Sequence, residues 1–267
     1  MELKNTDDLE ENKGCKLIEQ GKYQEAIEYS DKILELNPSD ARAWNIKGHA
    51  LYWMGKYQES LECHDMALEL DPNNAKMWHN KGNTLRRLGM NQEAIECYNK
   101  ALELDPTHVK AWFDKGNTLG DELGDLEREQ KALECFDRAL ELDPEYVNAW
   151  YGRGYYLIEL RRYSEAIECF DRALELDPEY VNAWYGKGIA LIKLEKYQEA
   201  VESYDKALGL DPYNINAWNN KGYLLENLGR YQEAIECFDR ALEIDPNDVY
   251  ARGFRNRVSR TIENFHG

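Results

Sequence analysis

The chain has 267 residues, of which 43% are hydrophobic, and a formal net charge of −18 at pH 7. That charge argues against a general nucleic-acid binder, because footprints on phosphate backbones are basic. No apolar run approaches the roughly 18 residues that a membrane span needs. The polar, acidic start MELKNTDDLEENKG lacks the pattern of a signal peptide. We therefore expect a soluble, cytoplasmic protein that binds neither nucleic acid nor membrane.

Seven regularly spaced prolines divide the chain into repeating units. They are 34 residues apart, with one step of 38, at Pro38, Pro72, Pro106, Pro144, Pro178, Pro212 and Pro246. A segment with helical spacing of apolar residues, such as YQEAIECFDRALEID, precedes each Pro, and a second one, such as AWYGKGIALIKLEK, follows the turn. Each unit is therefore predicted to be a helix pair whose second helix ends at the Pro, because the residue before proline disfavours the helical region.

In chain order the units are residues 7–40, 41–74, 75–108, 109–146, 147–180, 181–214 and 215–248. The run ECFDRALELDPEYVNAWYG occurs twice, at 134–152 and 168–186, which indicates two neighbouring copies of one unit. The remaining segment, 249–267, is predicted to be a basic amphipathic capping helix. Its apolar face is Ala251, Val258, Ile262 and Phe265, and Tyr250 and Phe254 are candidate contacts for self-association.

Other landmarks keep the same phase. Trp recurs at one repeat position, as Trp44, Trp78, Trp112, Trp150, Trp184 and Trp218, and Gly lies four residues after each of these. Gly inside a helix costs about 1 kcal/mol relative to Ala, so its repetition predicts close approach between neighbouring helices. Five cysteines share one position and are predicted to be small packing residues: Cys63, Cys97, Cys135, Cys169 and Cys237. The pattern of Trp, Gly, Ala, an aromatic residue, Ala and Pro resembles the tetratricopeptide repeat.

This resemblance implies an all-α fold, an α-solenoid in which seven helix pairs stack into a right-handed superhelix with a C-terminal capping helix. It also implies a single domain over 1–267, with the first helices lining a concave groove. One departure from the family pattern is systematic. Lys or Arg precedes the Gly, as Lys47 does, where the family often has Leu; we expect the stem to cover apolar surface and the charge to stay in water.

The unit 109–146 holds four extra residues. Leu119, Leu123 and Leu126 keep helical spacing, which predicts a first helix one turn longer. It would project an acidic knob of Asp121, Glu122, Asp125, Glu127 and Glu129. The insertion is either a tolerated addition at a repeat edge or a docking projection, and both interpretations stay open. In the first unit, Glu10 stands where other copies have Trp, as suits a capping unit.

The groove of the second to fourth units is predicted to be basic and rich in amides. Asn side chains both donate and accept, so they hold an extended backbone without demanding a sequence, whereas Arg and Lys favour carboxylates. Repeats five and six add an apolar trough of tyrosines. The candidate peptide-binding residues are Asn45, His49, Lys76, His79, Asn80, Asn83, Arg86, Arg87, Lys110, Asn117, Tyr151, Tyr155 and Tyr185. The alternative is that these are ordinary solvated helix faces of a structural spacer.

The best-known ligand of the family is the acidic C-terminus of the major heat-shock chaperones, held by a clamp for two carboxylates. Asn80 and Lys110 match this clamp, but Asn45 and His49 replace the first Lys and Asn, and Asp114 replaces the Arg. We therefore do not expect binding of chaperone tails. His64 replaces the aromatic residue of the other second helices and is predicted to be a satisfied packing residue.

No nucleophile elbow, P-loop or HExxH motif is present, so no catalytic residue, cofactor or metal site is predicted. His49 and His79 fall on neighbouring first helices without a third metal ligand of the right kind. The predicted function is a non-enzymatic protein-protein interaction scaffold that binds a peptide or protein segment. A self-assembling structural solenoid and a regulatory subunit of an enzyme complex are the alternatives.

Overall fold

A computed structural model of the chain describes residues 13–121 and 126–266. All regular secondary structure in these residues is helical. The chain divides into two compact units, Met1–Pro144 and Glu145–Gly267, called unit 1 and unit 2 here. The prediction of a single domain stays a prediction.

Helices alternate between a first and a second helix of each repeat. In unit 1 they are α1 (residues 13–19), α2 (Tyr23–Leu36), α3 (Ala41–Trp53), α4 (Tyr57–Leu70), α5 (Ala75–Arg87), α6 (Asn91–Leu104), α7 (Val109–Gly120) and α8 (Leu126–Leu142). In unit 2 they are α9 (Val147–Glu159), α10 (Tyr163–Leu176), α11 (Val181–Lys193), α12 (Tyr197–Leu210), α13 (Ile215–Asn227), α14 (Tyr231–Ile244) and α15 (Val249–His266).

From α2 to α8 and from α9 to α15, each helix packs against the next one in its unit. First helices also touch each other directly, as α3 does α5 and α5 does α7. Such stacking of helix pairs, each contacting mainly its neighbours, is the all-α solenoid that the repeat pattern predicts.

Side-chain caps and one tryptophan bond fix the turn between repeats. The Asp40 carboxylate accepts a hydrogen bond from the Ala43 backbone N–H at 2.8 Å, which caps α3. Trp78 donates its indole N–H to the carbonyl oxygen of Pro72 at 2.8 Å. Trp44, Trp112, Trp184 and Trp218 make the same bond. The hydrogen bond between the Pro carbonyl and the Trp indole thus fixes where the next first helix begins.

The repeated helical glycines allow close packing, as predicted. A Cβ added at Gly82 of α5 would lie 2.6 Å from Cε1 of Tyr98 on α6, and one at Gly48 would lie 2.8 Å from Cε1 of His64. Both rings are wholly buried. In the second to seventh repeats the aromatic ring of the second helix therefore rests on the glycine of its own first helix.

The lysine before each glycine has a role that the sequence did not reveal. Lys47 Nζ lies 2.6 Å from the Asp31 carboxylate on the preceding second helix and 5.6 Å from the centroid of the Trp44 ring. The same pairing joins Lys81 to Asp65, and Lys187, Lys221 and Arg255 also pair with Asp one repeat back. In these repeats the charge is thus paired rather than simply solvated, and it ties the first helix to the second helix before it.

The insertion extends the second helix, not the first, so the prediction of a longer first helix is wrong. The helix α7 has 12 residues, and α8 has 17 where other second helices have 14. Glu129 is 4% exposed and does not belong to an exposed acidic surface. Glu127 pairs with Lys131 at 2.7 Å. Glu10, Glu122, Leu123 and Asp125 lie outside the described residues.

The terminal helix α15 packs on α14 and α13 as a capping helix. Ala251 and Val258 are wholly buried and Ile262 packs against the same core, as predicted; the Phe265 side chain lies outside the described part of the chain. Phe254 stacks on Phe238 at 5.7 Å between ring centroids, so it is a packing residue. Tyr250 is 74% exposed.

Candidate functional site: a polar groove in unit 1

Three first helices of unit 1 form the main candidate site. Side chains of α3, α5 and α7, with others from α1 and the turn before α7, line a groove of ≈ 1040 Å³. Seven predicted site residues lie along it: Asn45, His49, Lys76, His79, Asn80, Asn83 and Lys110. Arg86 lines a smaller pocket beside it, whereas Arg87 and Asn117 line neither.

An amide pair forms the groove floor. Asn80 donates its Nδ2–H to Oδ1 of Asn45 at 3.1 Å, and each residue is 8% exposed. Thr84, one turn on, donates its hydroxyl to the backbone carbonyl of Asn80 at 3.1 Å. Because both amides are buried and partly paired, they fix the spacing of α3 and α5 as well as lining the groove.

A chain of polar contacts crosses from α5 to α7. Nε2 of His79 lies 2.7 Å from the Asp114 carboxylate and 3.3 Å from Nδ2 of Asn83. The carboxylate only accepts, so the ring must carry its proton on Nε2 and donate it to Asp114. Tyr98 donates its hydroxyl to Oδ1 of Asn83 at 2.7 Å, which fixes that oxygen as an acceptor. The Nδ2 donors of Asn83 are therefore left for a ligand.

The pKa of His49 reflects the positive charge around the groove. Burial, followed by the positive charges of Lys76, His79 and Lys110, lowers the pKa of His49 to about 4. Its ring is therefore neutral at pH 7. Trp53 donates its indole N–H to Nε2 of His49 at 3.0 Å, so the ring proton lies on Nδ1. The lysines that disfavour a proton here favour an anion.

The smaller pocket, called the side pocket here, has a volume of ≈ 180 Å³ and is lined by His49, Tyr52, Trp53, His64, Asn80, Asn83, Arg86 and Asp114. His64 is wholly buried, as predicted, but neither of its ring nitrogens has a hydrogen-bond partner. The prediction of a satisfied packing residue is therefore wrong. Burial, with smaller effects from His49 and Lys81, lowers the pKa of His64 to about 3.

Two adjacent arginines differ in their surroundings. Arg87 donates two hydrogen bonds to the Tyr57 hydroxyl, at 3.0 and 2.9 Å, and its guanidinium lies over that ring. It is thus held away from the groove. Arg86 faces the side pocket, and its buried Nε–H has no partner; its nearest carboxylate, that of Asp121, lies 3.7 Å from Nη1.

The predicted tyrosine trough lies in unit 2. Tyr151 packs edge-on against Tyr180 at 5.4 Å between centroids, and burial raises the pKa of Tyr151 to about 12. Tyr185 accepts a hydrogen bond from Nδ2 of Asn220 at 2.9 Å. Tyr155 is the more open ring, at 40% exposure. Tyr185 thus contacts the next repeat and Tyr151 packs within its own, and the role of these residues in binding stays a prediction.

Sequence reasoning missed His108, which lines the groove 4.7 Å from the His79 ring between centroids. Burial, followed by the charge of His79, lowers the pKa of His108 to about 4. It precedes α7, in the turn, whereas the repeat phase singles out positions on the first helices. The one available signal was its place in a turn that must reach the same groove.

The described residues include no group of three or more His, Cys, Asp or Glu side chains arranged to hold a metal ion. Over the same residues, no helix combines the length and apolarity of a membrane span. The predicted cytoplasmic location is not tested by these observations.

The chain matches several models of the tetratricopeptide repeat. They cover residues 117–180 and 153–215, residues 41–74, 75–108 and 215–248, and residues 97–131, which together run without a gap from 41 to 248. A model of the protein prenyltransferase alpha subunit repeat matches residues 23–54. None of the curated proteins matches the chain significantly.

Solved structures agree on the fold. A chain from the crystal structure of the APC/C hetero-tetramer Cut9-Hcn1 is 19% identical with a TM-score of 0.75, over 92% of this chain and 48% of that one. This chain thus spans about half the length of that relative. YrrB, described as "a TPR protein with an unusual peptide-binding site", is 26% identical with a TM-score of 0.59, over 73% of this chain and 99% of that one.

MamA is 28% identical with a TM-score of 0.57, over 62% of this chain and 94% of that one.

The repeat period, the stacked helix pairs and the models over residues 41–248 point to the same family. The chain belongs to the tetratricopeptide repeat family.

Proposed function

We propose that the chain is a non-enzymatic scaffold that binds an extended protein segment in the groove of unit 1. The observation that carries the proposal is this groove of ≈ 1040 Å³, in which three neighbouring first helices present polar side chains. Proteins of this family are in general non-catalytic interaction scaffolds, and the description of YrrB as having a peptide-binding site supports the same role here.

The chemistry of the groove favours a peptide with acceptor groups. Lys76 and Lys110 are exposed on its walls, and Asn83 offers amide donors. An extended backbone presents a carbonyl at every residue, which matches such donors without requiring one sequence. Lysine charges on the walls add a preference for acidic side chains.

A random nine-residue peptide library displayed on phage, selected against the full chain, provides probes. Enriched peptides are then labelled with fluorescein, and Kd is measured by anisotropy. We expect Asn83→Ala combined with Lys110→Ala to raise Kd about tenfold, which corresponds to about 1.4 kcal/mol. The matched control is Asn182→Ala with Lys193→Ala, because both residues are exposed on a first helix of unit 2.

The control pair is expected to leave Kd within about twofold, the spread of an unaffected site. A selection that enriches no peptide would contradict the proposal. An equal loss in the control pair would contradict its placement in unit 1.

A second candidate function is a subunit of an enzyme complex, which the prenyltransferase alpha subunit repeat match over residues 23–54 favours. This candidate predicts that a stably co-purifying partner has a catalytic activity that falls when the chain is removed. Unchanged activity without the chain would exclude it.

Self-association is a third candidate, favoured by Val249 and Tyr250 at the start of α15, which are 75% and 74% exposed. Light scattering over a hundredfold dilution tests it. A mass that stays that of the monomer at every concentration would exclude it.

A further inference from the structure

The side pocket opens off the groove of unit 1. It shares five lining residues with the groove: His49, Trp53, Asn80, Asn83 and Asp114. Its volume of ≈ 180 Å³ far exceeds the roughly 10–15 Å³ that one water requires. A chain lying in the groove therefore has room beside it for one side chain.

One residue of the second helix creates this space. In the repeat register, His64 corresponds to Tyr98, Phe136, Phe170, Tyr204 and Phe238. Imidazole is smaller than phenol or phenyl, so it leaves space where the third to seventh copies have ring atoms. In the next repeat the longer ring of Tyr98 reaches Asn83 with its hydroxyl, whereas His64 has no hydrogen-bond partner at all.

Donors of the side pocket lack acceptors. The buried Nε–H of Arg86 is without a partner, and a neutral His64 ring always has one N–H to donate. The Nδ2 donors of Asn83 face a His79 nitrogen whose proton is already directed at Asp114. The Asp114 carboxylate, which also lines the side pocket, accepts from His79 at 2.7 Å. Neither the Nε–H of Arg86 nor the His64 ring has an acceptor in the free protein.

We propose that the side pocket receives the carboxylate of an Asp or Glu side chain of a peptide in the groove, an inference that rests on the proposed function. Arg86 donates a charge-assisted bond, and Asn83 and His64 donate the others. Nε of Arg86 and the His64 ring have no exposed surface in the free protein. The carboxylate therefore enters as Arg86 moves away from Asp121, to which it is held by one contact of 3.7 Å.

The two adjacent arginines provide matched variants. Arg86→Leu and Arg87→Leu remove the same charge one residue apart, and Tyr57 holds Arg87 outside the side pocket. His64→Phe fills the pocket with a ring that other repeats accommodate. Since this change removes two buried unpartnered nitrogens, the variant is expected to be more stable, which separates weaker binding from poor folding.

The test begins with phage selection of random nine-residue peptides on the wild type, Arg86→Leu and Arg87→Leu. We expect one Asp or Glu position to be enriched on the wild type and on Arg87→Leu but not on Arg86→Leu. A selected peptide and its Gln or Asn counterpart are then compared by anisotropy. The acidic form is expected to bind the wild type about tenfold more tightly, and Arg86→Leu and His64→Phe are expected to abolish that ratio.

Each outcome decides between the two proposals. Enriched peptides with no acidic position, or an acid-to-amide ratio that survives in Arg86→Leu, overturn the side-pocket assignment and leave the peptide groove standing. The same holds if Arg87→Leu abolishes the ratio equally. Selection that yields no peptide overturns the groove itself, and the side-pocket assignment with it.

Discussion

His64→Phe is expected to make the protein both more stable and less sensitive to acid. In the wild type the imidazole is wholly buried, and neither nitrogen has a partner. A buried polar group without a hydrogen bond costs roughly 1–3 kcal/mol. Phe occupies this position in three other repeats, where it rests on the helical glycine of its own repeat, as Phe170 does on Gly154. The variant should therefore gain roughly 1–3 kcal/mol at pH 7.5.

The gain is expected to grow as the pH falls. Burial lowers the pKa of His64 from 6.5 to about 3, so the unfolded chain takes up a proton over a range in which the folded protein does not. The contribution of neutral His64 to stability is therefore complete above pH 6.5 and is lost progressively toward pH 3. Its slope is about 1.4 kcal/mol per pH unit. At pH 4.5 the variant should exceed the wild type by about 3 kcal/mol more than at pH 7.5.

Urea unfolding followed by circular dichroism at several pH values measures this difference. The lowered pKa values of His49 and His108 act in the same direction, but both residues are present in the wild type and in the variant. The comparison therefore isolates position 64. A stability difference that is constant between pH 7.5 and pH 4.5, or a His64 ring that titrates near 6.5 by NMR, would refute the reasoning.

Three further predictions concern packing and chemistry. Gly82→Ala places a Cβ 2.6 Å from the Tyr98 ring and is expected to lower the free energy of unfolding by about 1 kcal/mol or more. In the control Gly209→Ala the added Cβ meets nothing within 4 Å, so the free energy of unfolding should rise by up to about 1 kcal/mol. Equal effects of the two changes in urea melts would contradict the close packing. Arg161 has φ of 58° in a turn where four other repeats have Gly at positive φ, so Arg161→Gly should stabilise by roughly 0.5–1 kcal/mol. A lower denaturation midpoint would argue against strain there. Iodoacetamide at pH 7.4, followed by mass spectrometry, should modify half-buried Cys15 first. Burial raises the thiol pKa to about 11 at Cys63, Cys97, Cys135 and Cys237. Rapid labelling of any of these four would contradict the prediction.

The repeat pattern was sufficient to predict the fold because every copy repeats the same local and nearest-neighbour contacts. Helical spacing, the Pro at each turn and the Gly opposite each aromatic ring are all readable in one copy, as in Gly82 and Tyr98. A solenoid has few contacts between distant segments, so little of its fold depends on information that a single repeat lacks. The place of Asn80 and Lys110 on one groove followed from phase alone.

The pattern failed where a position departs from it. Four extra residues are compatible with lengthening either helix, and periodicity does not distinguish the two; the structure shows that α8 is the longer one. The charge of Lys47, before Gly48, was predicted to be solvated, because its partner Asp31 belongs to the preceding repeat, 16 residues earlier.

The sequence by itself determined the helix pairs, their order and the family, because these depend on spacing along the chain. The tertiary structure alone decided which of the groove side chains are already paired and which are left for a ligand. Arg86 and Arg87 are neighbours in sequence, yet only Arg87 has a Tyr57 hydroxyl within reach. Hydrogen-bond satisfaction depends on atoms that distant segments bring within about 3 Å, and no spacing rule contains that information.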